Sequence, residues 1–112
     1  MTVYSDLLQV AQLKSNEAQA RFAHLKAEDD ALKAAISQLR QARSGRGFQQ
    51  ASADVMAWQS HAKWLTWTDQ ELRRLTQLRL GHKLRLEDAR VQAAKAFGKT
   101  LALEEVLKGL ER

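Results

Sequence analysis

Along most of this chain, one residue in every three or four belongs to a continuous seam. Tyr4, Leu8, Ala11, Ser15, Ala18, Phe22, Leu25, Asp29, Leu32, Ile36, Leu39 and Arg43 follow one another at alternating steps of four and three. The same rhythm holds, without a skipped step, through Trp58, His61, Leu65, Thr68, Leu72, Leu75, Arg79, His82, Leu86, Ala89, Ala93, Ala96, Thr100, Leu103, Leu107 and Leu110. That is a heptad repeat, the pattern of helices that pack along one stripe. No segment alternates with the two-residue period of a strand.

Between the two seams lies "QARSGRGFQQASAD", with two glycines close together, which reads as a turn. Ser52 is a good N-cap for the helix that follows, with Asp54 in its first turn. The expectation is one all-α domain over 1–112: a helix over 3–43, a loop over 44–51 and a helix over 52–110. Two long helices on a short loop fold most economically as an antiparallel coiled-coil hairpin. Composition agrees, since the chain has no proline and is rich in strong helix formers.

Matching large residues to small ones across the seam predicts a register. It sets Leu39 opposite Trp58, Leu32 opposite Leu65, Leu25 opposite Leu72, Phe22 opposite Leu75, Ala11 opposite Leu86, Leu8 opposite Ala89 and Tyr4 opposite Ala93. A register one heptad away would face Asp29 with His61 and Leu8 with His82. At 1.5 Å per residue the first helix spans roughly 60 Å and the second roughly 88 Å, so the second is expected to overhang. Beyond Ala93 the overhang would leave Phe97, Leu101, Leu103, Val106, Leu107 and Leu110 uncovered, at roughly 1.5 to 3 kcal/mol of lost burial for each large side chain. A partner is therefore expected at Phe97, Leu101, Leu103 and Leu107, with Lys95 and Lys99 at its rim. The alternatives are a homodimer through the same surface, or a frayed end. A second apolar surface, at the start of helix 2, gathers Trp58, Trp64, Leu65 and Trp67 as contact candidates; the tryptophans could instead lie over the stems of Lys63 and Arg74.

Charge and chemistry narrow the classes further. A net charge of +5 raises the question of nucleic acid, because Arg73, Arg74, Arg79, Lys83, Arg85, Arg90, Lys95 and Lys99 crowd helix 2. Asp69, Glu71, Glu87 and Asp88 interrupt that stripe, and acidic protein partners account for it as well. With no cysteine, disulfides and thiolates are excluded, which suits a reducing cytoplasm. "MTVYSDLLQV" has no basic or continuously apolar stretch, so neither a signal peptide nor membrane insertion is expected. His61 and His82 stand roughly 31 Å apart along a helix and cannot share a metal. The Glu28–Asp30 acidic run has no pocket in which to raise a pKa, and Asp29 reads as a polar register device in the seam. "SGRG" lacks the strand and the GK[ST] of a phosphate loop. No catalytic residue, metal or cofactor is expected.

Two stretches carry a family resemblance. "KAFGKTLALEEVL", Lys95 to Leu107, follows the basic amphipathic "ARVQAAKAF" and resembles the C-terminal segment of the FliJ/YscO family, the small stalk proteins of flagellar and injectisome type III export. "ASADVMAWQSHAKWL" is similar to the start of the second helix in those proteins. The resemblance implies an antiparallel hairpin, akin to the central stalk of rotary ATP synthases, whose terminal end enters the hexameric export ATPase. It also implies contacts of the start of helix 2 with the membrane export gate, and binding of export chaperones. Two other classes stay open: a homo-oligomeric structural coiled coil and a basic helical nucleic-acid-binding protein. Secreted helical hairpins with a W-x-G at the turn rank last, since the turn here reads "SGRG".

Overall fold

A computed structural model describes residues 3–46 and 55–111. Two helices account for all of them, α1 over Val3–Arg46 and the longer α2 over Val55–Glu111. They form an antiparallel hairpin, the predicted fold class. Each helix contributes to two compact units, one of Met1–Ala27 with Lys83–Arg112 (unit 1) and one of Glu28–His82 (unit 2). α1 runs through Ser44 and Gly45 to Arg46, past its predicted end at Arg43. A single helical glycine costs about 1 kcal/mol, which is too little to stop a long helix, and Gly45 keeps a negative φ. The rest of the predicted loop, and the proposed cap at Ser52, lie outside the described residues.

The predicted seam is the buried face of both helices. In α1 every position from Leu8 to Leu39 is buried or half-buried, and in α2 every position from His61 to Leu107. At the ends, Tyr4, Arg43, Trp58 and Leu110 are exposed. Two helices can bury little completely: among the described residues the buried apolar ones are Ile36, Leu75, Ala89 and Ala93, and polar Ser15, Asp29, Thr68, His82 and Thr100 are buried with them.

The register departs from the predicted one. In unit 2, Arg43 Nε donates to Asp69 Oδ1 at 2.9 Å and Arg79 Nε to Asp29 Oδ1 at 3.1 Å, while His82 Nε2 lies 3.6 Å from Glu28 Oε2. The predicted register faced Asp29 with Thr68, so the observed offset is about two heptads further along α2. Unit 1 has the same offset, with Leu7, Val10 and Ala11 lining one groove together with Lys99, Ala102 and Leu103. Matching bulk is a weak guide because it nearly repeats with each heptad. A buried carboxylate is a strong one, since it must meet a cation or lose its solvation uncompensated.

The new register overturns the predicted overhang beyond Ala93. Thr100 is 6% exposed, and Leu103 and Leu107 are half-buried. α2 is the longer helix, and among the described residues 55–68 of α2 precede the level of the Arg43–Asp69 pair while 44–46 of α1 lie beyond it.

Arg79→Leu removes the guanidinium that faces the Asp29 carboxylate, 5% exposed, and should cost about 3 kcal/mol in denaturant unfolding. The double change Asp29→Leu with Arg79→Leu should unfold no more easily than the parent, yet crosslink through introduced cysteines both at 8 with 103 (the observed register) and at 8 with 89. A double variant that still crosslinks only at 8 with 103 would remove the ion pair as the register determinant. Thr68 is fully buried and its Oγ1 has no hydrogen-bond partner among the described residues. Thr68→Val should therefore stabilise the hairpin by about 1 kcal/mol, read as a raised Tm.

Candidate protein-docking groove

The observed register creates a groove in unit 1 that neither helix has alone. Its volume is about 770 Å³. α1 supplies Leu7, Val10, Ala11, Lys14, Glu17, Ala18 and Arg21, and α2 supplies Gln92, Lys95, Ala96, Lys99, Ala102 and Leu103. Ala11, Ala18 and Ala96 are seam positions, so the floor is made of the smallest apolar side chains. Leu7 and Val10 sit one residue before the seam positions Leu8 and Ala11, which turns them to the flank. They remain 46% and 49% exposed, and covering what is left would add about 1 kcal/mol each.

The rim is basic. Lys14, Arg21, Lys95 and Lys99 line the groove with Glu17 as its one acid. Among the described residues none of the four cations is held in an ion pair. Elsewhere on α2 the basic stripe is partly neutralised. Arg74 pairs with Glu71 at 2.5 Å, Arg90 with Glu87 at 2.6 Å, and Arg79 with Asp29. The hydrogen bonds from Arg74 and Arg90 hold the Glu71 and Glu87 carboxyls below the ordinary glutamate value.

The predicted contact residues are thereby divided. Lys95, Lys99 and Leu103 meet in the groove. Phe97 and Leu101, four residues apart and 49% and 45% exposed, do not line it, and Leu107 is half-buried on the seam. In unit 2, Trp58 and Trp67 are 56% and 52% exposed. Trp64 and Leu65 are half-buried, and Trp64 stacks on His61 with ring centroids 6.1 Å apart. Leu7, Val10, Lys14 and Arg21 were not anticipated. Leu7 and Val10 did leave a signal, an apolar pair just off the seam.

Among the described residues no group of three or more acidic or histidine side chains is placed to hold a metal ion, and no helix is long and apolar enough to cross a membrane. No family model, curated protein or solved structure matches the chain.

The two intrahelical pairs predict a direction with pH. A carboxyl depressed in the folded state adds stability above its unfolded pKa, and that stability disappears as pH falls through the folded value. Side-chain carboxyl shifts of Glu71 and Glu87 followed by NMR should titrate below the ordinary glutamate value. Both pairs are exposed, so Glu87→Gln should change the acid limb of the stability curve only slightly.

Proposed function

We propose that this chain is a non-enzymatic stalk or adaptor protein of a type III export apparatus, cytoplasmic and peripheral to the membrane. In this reading it binds the hexameric export ATPase through unit 1. The start of α2, with Trp58, Trp64, Leu65 and Trp67, serves contacts with the export gate or export chaperones. Besides the resemblance of "KAFGKTLALEEVL" and "ASADVMAWQSHAKWL" to the FliJ/YscO family, one observation supports it: unit 1 shows large apolar side chains on both helices, Leu7, Val10, Phe97 and Leu101, beside unpaired lysines. Clustered anchors with a charged rim are the anatomy of a protein interface.

The corrected register changes how this is tested. Residues from 97 onward are paired with α1, so truncating them would unfold part of the seam and say little about binding. Phe97→Ala with Leu101→Ala removes side chains that are about half exposed, leaves the seam positions intact and should lower the Tm only modestly. It should weaken binding to a purified hexameric export ATPase from the same cell by tenfold or more, roughly 1.4 kcal/mol, in titration calorimetry. Failure of the unaltered chain to bind that ATPase would make the stalk assignment wrong, and a concentration-dependent mass in its place would favour the homo-oligomeric coiled coil.

A further inference from the structure

We infer that the groove of unit 1 seats an amphipathic helix with acidic flanks, contributed by a partner protein. The inference deepens the reading of unit 1 as a docking end by naming the chemistry of what docks. Shape is the first argument. The groove extends along α1 from Leu7 to Arg21 and along α2 from Gln92 to Leu103, about 17 to 21 Å at 1.5 Å per residue, the length of a helix of about three to four turns. Its floor of alanines lets a third helix axis come close, toward the short end of the 8 to 10 Å range of packed helices. Leu7 and Val10, three apart on α1, and Leu103 level with them on α2 gather apolar contacts at one end of the groove, an anchor for one face of a helix.

Charge selects the occupant. Lys14 and Arg21 stand on the α1 wall, and Lys95 and Lys99 on the α2 wall, with Glu17 alone against them. A helix carrying leucines on one face and glutamates on both shoulders meets cations on either side. A second copy of this groove would bring the same four cations against themselves, in a chain whose net charge is already +5. Nucleic acid would satisfy the cations and leave Leu7, Val10 and Leu103 without a partner.

The test uses the full chain and a labelled synthetic helix of about 16 residues, with leucine at i, i+3, i+4 and i+7 and glutamate on both flanks. Anisotropy titration should show saturable binding that weakens with salt. The same peptide with lysine for glutamate should bind at least about tenfold more weakly. Lys14→Glu with Lys99→Glu should lose about tenfold for the acidic peptide. Ala102→Trp, which fills the groove from an exposed position, should abolish binding with the Tm preserved. Leu84→Ala, exposed in unit 1 and outside the groove, should bind normally. Equal affinity for both peptides, no binding of the acidic peptide, normal binding by the Ala102→Trp variant, or displacement of the acidic peptide by equimolar single-stranded DNA would each overturn the inference. The outcomes separate from the stalk proposal. A chain that binds the export ATPase but not the acidic peptide loses only the groove assignment, and one that binds the peptide but not the ATPase loses only the stalk.

Discussion

The Asp29 carboxylate, 5% exposed in the middle of a two-helix seam and held by Arg79, is the constraint on which the pairing of the chain turns. A carboxylate taken out of water loses several kcal/mol of solvation, and a cation on the facing helix replaces part of it. Arg79 does so with Nε at 3.1 Å from Oδ1 and Nη2 at 3.5 Å from Oδ2, with Glu28 near His82 one step away. The neighbouring apolar layers are buried or half-buried and similar from heptad to heptad. They supply adhesion without choosing among offsets, while the ion pair adds little net stability and makes the wrong offsets costly. A seam is a repeat, so within unit 2 the offset fixed at the ion pair holds for the neighbouring layers.

How much of this was legible follows from what each signal measures. Helices, their antiparallel pairing and the positions on the seam are consequences of a 3.5-residue period, and the period is written in the residues themselves. From Leu8 to Leu39 and from His61 to Leu107 the rhythm marks the buried face. The register is a relation between two stretches of chain, and bulk matching left it nearly degenerate. Asp29 was recognisable as a register device, and Arg79 shares the seam rhythm. Requiring one to face the other, in place of asking which leucine faces which alanine, would have found the pairing. The groove inherited that error. Its α2 wall, Lys95, Lys99 and Leu103, was visible in the sequence, but its α1 wall depends on which residues lie across from Leu103.

The charge distribution also acquires a sharper meaning. Read as a line of text, α2 carries an almost continuous basic stripe, the kind of feature that suggests phosphates. In three dimensions Arg74, Arg79 and Arg90 are each engaged by a carboxylate, which takes them out of any long-range attraction at close quarters. The cations around the groove keep theirs. A polyanion gains from counterion release in proportion to the cations it meets and gains nothing from apolar walls, whereas an acidic helix can use both kinds of surface at once.

There is a geometric reason for a two-helix protein to present such a groove. A pair of helices covers each seam residue from one side only, so Ala11, Ala18, Ala96 and Leu103 remain half-buried however well the register is chosen. A third helix laid along the flank would turn that half-buried face into an interior one, with Leu7 and Val10 passing from surface to core. Bundles of three and more helices gain their stability this way. In this hairpin the alanine floor holds the space for that third helix open, and the unpaired lysines and arginine at its edges would make the affinity depend on the charge of the helix that enters.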